Sequence, residues 1–249
     1  MQKVVNNLLT TYHVVHPEKK QTLLILHGWG QNSSHWLNVI KNLPQNFTGI
    51  ALDLPAFGST QPLPGVPAVE DYSKFTRAFI DKLQLKNVTL MGHSFGGQIA
   101  VDFSLRFPES LKHMILVSPA CIRQSSPNRK SLLAKKIKPL FKLLPVKIYR
   151  RLFEKIASEN YLLSNSTQRR ILNKIIYQDY SKKLKNINTP TSIIWGDKDF
   201  TIENNSKIIA EIIPDSHLSV LYGADHNPHL TSETKFLLAL NIILSQNVV

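Results

Sequence analysis

The tightest constraint on this chain is a short stretch in which one periodicity hands over to another. Val88-Thr89-Leu90-Met91 is a β-prone apolar run, and Gly92-His93-Ser94-Phe95-Gly96 follows at once. Residues 98–107 then carry apolar side chains at 99, 100, 103 and 107, a helical spacing that Pro108 ends. A strand, a G-x-S-x-G turn and a helix in that order lift the serine hydroxyl above the edge of a sheet, within reach of a substrate. Gly92 and Gly96 keep the corners of the turn free of bulk, so that strand and helix backbones can approach closely. On these residues alone, a serine that only caps the helix is an equally simple reading.

Both flanks repeat the alternation. Leu8–Val15 and Gln21–Leu26 read as two strands joined by the polar turn His16-Pro17-Glu18-Lys19-Lys20, and Phe47–Leu52 as a third. Residues 69–85 read as an amphipathic helix with Tyr72, Phe75, Phe79, Ile80 and Leu83 near one face, and Leu111–Val117 as a further strand. After 189 come a strand at 191–195, a helix at 202–213 stopped by Pro214, a strand at 217–222 and a closing helix at 228–244. Strands written as continuous apolar runs between helices predict an α/β fold: a mostly parallel central sheet covered by helices on both faces. Sites in such sheets lie at the carboxyl ends of the strands.

Residues 121–186 break that rhythm. They predict short helices at 131–143, 146–157 and 166–177, interrupted by Pro139 and Pro145, with no β-run between them. They also hold 17 of the 30 Lys and Arg residues but only three acids, Glu154, Glu159 and Asp179. The whole net charge of +13 therefore resides in this segment. The expected organisation is a core of 1–120 and 187–249 with a helical cap inserted at 121–186. The basic cap reads first as a solvated face, and second as a weak contact for anionic substrates or an anionic membrane surface. Nucleic acid is not expected as a partner, because no nucleic-acid motif accompanies the charge. Cys121 is the single cysteine, so no internal disulfide can form. No run of 18 apolar residues and no apolar leader core is present, and the chain reads as a soluble cytoplasmic protein. Oligomeric state has no signature here.

A serine hydroxyl needs a base to take its proton and a third group to orient that base. Two loops after later strands hold the right residue types. One is Gly196-Asp197-Lys198-Asp199-Phe200; the other is Gly223-Ala224-Asp225-His226-Asn227-Pro228-His229. Donors for a developing oxyanion are expected at the backbone N–H groups of Trp29 and Phe95, since His27-Gly28-Trp29-Gly30 follows a strand and its glycines let backbone approach a substrate. On spacing alone Asp197 competes with Asp199, and His229 with His226.

Taken together, His27-Gly28-Trp29-Gly30, Asp53-Leu54-Pro55-Ala56-Phe57-Gly58-Ser59, the Ser94 turn, Gly196-Asp197-Lys198-Asp199 and Gly223-Ala224-Asp225-His226 span nearly the whole chain. In this order the chain resembles the α/β-hydrolase superfamily, in its lidded single-domain serine-hydrolase form. The resemblance implies Ser94 as nucleophile, His226 as base and Asp199 as acid. It puts the acid three residues beyond the glycine, and no acid stands in Val117-Ser118-Pro119-Ala120-Cys121, where some relatives carry it. It also implies a cap after the sixth strand and chemistry that needs neither metal nor organic cofactor. Two positions depart from the family's habit: Asp225 stands where glycine commonly precedes the histidine, and Ala56 where glycine is common. The expected activity is cleavage of a carboxyl ester or lactone through an acyl-enzyme. Carbon–carbon bond, thioester and amide hydrolysis use the same triad in this superfamily, and a non-catalytic ligand-binding relative is the rival of another class. His27 is expected to brace the donor loop, Asp53 to accept hydrogen bonds at its strand end, and Cys121 to pack in the core.

Overall fold

The computed structural model describes residues 1–123 and 164–246. The described strands form one eight-stranded sheet in the order β1-β2-β4-β3-β5-β6-β7-β8. They are β1 (Gln2–Val5), β2 (Leu8–Val15), β3 (Gln21–Leu26), β4 (Phe47–Leu52), β5 (Val88–His93), β6 (Leu111–Val117), β7 (Thr191–Gly196) and β8 (Ser216–Leu221). The pairs from β4 through β8 are all parallel, while β1 pairs with β2 and β2 with β4 antiparallel. The strands expected at Leu8–Val15 and Gln21–Leu26 are present, but they are not neighbours: β4 lies between them. β3 is buried along nearly its whole length and takes a parallel partner on each edge, β4 and β5, which leaves β2 to extend the sheet beyond β4.

Side chains alternate across the sheet with a period of two. Leu24 and Leu26 of β3 join Leu52, Leu90, Leu116 and Ile193 in one apolar layer. Leu23 and Ile25 join Ala51, Met91, Ile115 and Ile194 in the other. The described helices are α1 (Leu37–Lys41), α2 (Val69–Lys82), α3 (Phe95–Arg106), α4 (Ser166–Ile175), α5 (Ser206–Ile212), α6 (Pro228–Thr231) and α7 (Glu233–Gln246). The first layer packs under α2 and α3 through Phe75, Phe79, Ile99 and Phe103. The second packs under α1 and α7 through Val39, Ile40, Phe236 and Leu240. None of the described helices is long and apolar enough to cross a membrane.

The helices expected at 69–85 and 166–177 end earlier, at Lys82 and Ile175, and two others differ more. The one expected at 202–213 starts only at Ser206, because side chains capture the earlier N–H groups: Asp199 Oδ1 accepts from Thr201 and Ile202, and Asn204 Oδ1 from Ser206. The one expected at 228–244 breaks at Ser232 into α6 and α7.

Of the expected cap, 131–143 and 146–157 lie outside the described residues, and the third helix is α4. The described ends of the segment are tied together in a neck beside the core, and α4 packs on the core through Ile171 and Ile175. Tyr180 N–H donates to Cys121 O at 2.9 Å, and Arg123 N–H to Asp179 Oδ1 at 3.0 Å. Below it, the buried Asp102 accepts from Tyr180 OH at 3.0 Å and from Arg106 Nε at 2.7 Å. Removing the tyrosine hydroxyl leaves a buried carboxylate oxygen short of a donor, a loss of about 1–3 kcal/mol. Tyr180→Phe should therefore lower the urea midpoint with an unchanged slope. An unchanged midpoint would show that the hydroxyl contributes nothing to anchoring this neck.

Candidate active site

The sheet reverses its winding at β3, which lies between β4 and β5, and backbone crevices form at the carboxyl ends of such strands. Ser94 sits there, at φ 50° and ψ −108°, between β5 and α3. Left-handed backbone is costly for a residue with a Cβ, on the order of 1–3 kcal/mol, and persists only where the surroundings impose it. Glycines impose it here. A Cβ on Gly92 would lie 2.3 Å from Gly96 O, and one on Gly96 2.1 Å from Leu26 O. Ser94 makes no side-chain cap bond to α3, which removes the simple capping reading. Its N–H donates to Val117 O, tying the turn to the end of β6.

The ends of β7 and β8 meet by the same device. A Cβ on Gly196 would lie 2.3 Å from Ala224 O and 2.4 Å from Asp225 O. This contact brings the two loops together, and His226 Nδ1 lies 2.7 Å from Asp199 Oδ2. The Asp199 carboxylate is fully buried, and its other oxygen accepts from Thr201 and Ile202 N–H. Burial alone would raise the Asp199 pKa; the His226 hydrogen bond, the imidazole charge and those two N–H groups outweigh it and hold it below the ordinary value. An ionised carboxylate only accepts, so His226 Nδ1 donates and Nε2 is left for other work. Ser94, His226, Trp29 and Phe95 all line one cavity of about 350 Å³.

The two competing residues have other partners. Asp197 Oδ1 accepts from Gly223 N–H and so fastens β7 to the loop after β8. His229 is buried, stacked on Trp36 with ring centroids 3.8 Å apart at 6°. Asp225 accepts from Asn227 N–H and Thr231 Oγ1, which shapes the histidine loop without a glycine. Ala56 adopts φ 73° and lends its carbonyl to Gln168.

The donor loop is held from several sides. His27 Nδ1 donates to Gly28 O at 2.8 Å and Nε2 accepts from Leu54 N–H at 3.0 Å, which defines a neutral tautomer. Asp53 accepts from Ser33 and Ser59 N–H. Gln31 Nε2 donates to Asn227 Oδ1, linking this loop to the one that carries His226. The Trp29 ring packs edge-on against Phe57 and Phe95. Phe95 opens α3, so its N–H has no partner within the helix.

His93, whose role spacing left undefined, donates from Nε2 to His226 O at 2.9 Å. The residue before Ser94 thus holds the backbone of the residue beside Asp199. Gly28 has to be glycine partly for this ring, since a Cβ there would meet His93 Nδ1 at 2.6 Å. Cys121 is buried and its thiol pKa is pushed up to about 12 by burial, so it is an inert packing residue. Among the described residues no cluster of His, Cys, Asp and Glu could hold a metal ion.

Burial also depresses a set of imidazoles. The pKa falls to about 4 in His27 and His113, to about 3 in His93, and well below its ordinary value in His229. These rings stay neutral in the fold and take up protons only on unfolding, once the pH drops below about 6.5. Stability is then complete above that pH and is lost as the pH falls toward 4. At pH 5 His27, His93 and His113 account for about 2 kcal/mol apiece, a sizeable share of a typical margin of about 5–15 kcal/mol. Urea unfolding should show steadily falling stability between pH 7 and 5, with acid unfolding near pH 5. A flat profile down to pH 4 would contradict the buried neutral set.

A profile of the alpha/beta hydrolase fold family matches residues 21–145. An uncharacterised protein of Mycobacterium tuberculosis is 38% identical over 96 residues, which span 39% of this chain and 28% of that protein's length. Monoacylglycerol lipase ABHD6 of Rattus norvegicus is 27% identical over 85% of this chain and 71% of its own length. A 2-hydroxy-6-oxononadienedioate/2-hydroxy-6-oxononatrienedioate hydrolase of Pseudomonas putida is 27% identical, covering 84% of this chain and 82% of its own. Among solved structures, a bacterial membrane phospholipase A superposes with a TM-score of 0.81 at 21% identity, over 99% of this chain and 86% of that one.

Proposed function

Since the chain belongs to the alpha/beta hydrolase fold family, we propose that it is a serine hydrolase that cleaves carboxyl esters or lactones through an acyl-enzyme. One observation carries this reading: the 2.7 Å contact between Asp199 and His226 opens onto the same cavity as the conformationally forced Ser94. His226 Nε2 takes the Ser94 proton as Oγ bonds to the substrate carbonyl carbon. The Trp29 and Phe95 N–H groups receive the oxyanion, a contribution of about 2.7–4 kcal/mol per donor. His226 returns the proton to the leaving alkoxide as the carbon–oxygen bond breaks. It then deprotonates water, which attacks the acyl carbon and frees Ser94. Asp199 remains ionised throughout and stabilises the transient imidazolium. His93 and Gln31 act as positioning residues, one on each side of the His226 loop.

Residues 121–186 serve as a cap in this reading. The support is that α4 and the residue after it, near the end of that segment, contribute Leu172, Asn173, Ile175 and Ile176 to the cavity wall. Two of the similar proteins act on lipid esters by name, the lipase and the phospholipase, which favours an ester. The Pseudomonas putida hydrolase supports a second reading, cleavage of a carbon–carbon bond beside a ketone. A panel of p-nitrophenyl esters, acyl lactones and a vinylogous 1,5-diketone acid separates the two.

A fluorophosphonate probe should label Ser94, as read by peptide mass analysis, and Ser94→Ala should abolish both labelling and ester turnover. Asp199→Asn should lower kcat by about 10⁴-fold by leaving the imidazole in the wrong tautomer. His226→Ala should fall comparably, whereas His229→Phe, which can keep the stack on Trp36, should stay within about tenfold of the parent. Folded protein that turns over neither substrate class and takes no label would overturn the reading.

A further inference from the structure

Among the described residues that line the Ser94 cavity, one side chain carries a full positive charge: Arg123. Its surroundings there are largely apolar, with Trp29, Phe95, Leu172, Ile175 and Ile202 in the wall. Arg123 is half-buried, and its Nε is shut off from solvent without a hydrogen-bond partner. A buried guanidinium N–H without an acceptor from the protein is a rare arrangement. The described acid that acts on it electrostatically, Asp179, does not complete it. Asp179 accepts the backbone N–H of Arg123, and its carboxylate is otherwise spent on Ser181, N–H to Oδ1 and hydroxyl to Oδ2. Burial lowers the Arg123 pKa from its usual value, and the nearby Cys121 and Asp179 do not fully offset it. The group nonetheless stays charged at neutral pH.

A planar fork of donors in a partly dry cavity matches a carboxylate in shape and charge. The plainer alternative is an arginine whose stem covers apolar wall while its head stays in water. Here Arg123 belongs to the cavity wall, so a substrate in the cavity takes the place of that water. We propose that Arg123 binds a carboxylate of the substrate, so that the esters accepted at this site carry a second, anionic group on the acyl or the alcohol side of the scissile bond. The inference rests on the serine-hydrolase reading of the cavity and specifies its substrate class.

The experiment compares charged with neutral esters of matched length. p-Nitrophenyl hydrogen glutarate carries the carboxylate on the acyl side, and 4-(butyryloxy)butyrate carries it on the alcohol side. p-Nitrophenyl valerate and pentyl butyrate are the neutral partners. In the parent protein at least one charged ester should exceed its neutral partner tenfold or more in kcat/KM. The preference should persist in 0.5 M salt, where long-range attraction by the basic segment is screened to a few ångströms. In Arg123→Gln that ratio should fall at least tenfold, and Arg123→Lys should keep part of it. Because each ratio is internal to one protein, a general loss of activity does not affect the comparison. A second measurement uses the unaltered protein: glutarate should inhibit valerate ester turnover competitively and at least tenfold better than glutaramide.

Equal ratios in the parent and Arg123→Gln, or equal inhibition by the diacid and the diamide, would overturn the role of Arg123. Labelling of Ser94 and turnover of neutral esters would survive that outcome and leave the hydrolase reading standing. No label and no turnover of any ester would remove both.

Discussion

The site depends on one steric constraint, the approach of the Gly96 backbone to the carbonyl of Leu26. There is no room for a single extra carbon: a Cβ would lie 2.1 Å from that oxygen. The contact seats the first turn of α3 on the end of β3, which places Phe95 beside the loop that carries Trp29. It also forces the strained backbone of Ser94, since a strand and a helix that meet so tightly leave the connecting residue no ordinary conformation. Gly196 repeats the solution against Ala224 and Asp225 at the other half of the site. Two close backbone approaches thus bring together four loops that are distant in sequence.

Once assembled, the site assigns different tasks to chemically identical rings. His27 and His93 are sealed in the protein and held neutral; His27 ties Gly28 to Leu54 through both ring nitrogens, and His93 holds the carbonyl of His226 through Nε2 alone. His229 has no hydrogen bond at all and serves as a flat apolar plate against Trp36. His226 is the ring in hydrogen-bond contact with a carboxylate, and it faces the cavity. The division follows from partners and solvent, since the four side chains have the same intrinsic proton affinity.

Much of this was legible in the linear chain, for identifiable reasons. Interior strands are buried on both faces, so their apolar runs have no polar interruption, and β3, β5 and β7 stand out. The close-packed corners demand glycine, and Gly92, Gly96 and Gly196 mark where strands end in functional loops. What was hidden depends on contacts between distant residues. β1 has four residues at the sheet edge, of which only Val5 is buried, too few to show a period. The insertion of β4 between β2 and β3 is a pairing decision no local pattern records. α1 has five residues, too few to show a period. The late start of α5 follows from Asp199 capturing N–H groups that would otherwise begin the helix. Likewise, only the fold separates Asp199, which meets His226, from Asp197, which meets Gly223.

The neck at Cys121–Tyr180 and Arg123–Asp179 has a consequence for how such a chain can change over generations. Loop closure there is already accomplished by the backbone bond from Tyr180 to Cys121, by Asp179 Oδ1 accepting from Arg123 N–H, and by the anchor of Tyr180 on Asp102. Residues added beyond a closed neck cost little more, about 0.6 kcal/mol for each doubling of loop length. Ser94 and the Trp29 loop precede the neck in sequence, while Asp199 and His226 follow it, and all four are carried by loops at the ends of sheet strands. Chain length between the two ends can therefore drift from one generation to the next while the loops carried by the sheet keep their register.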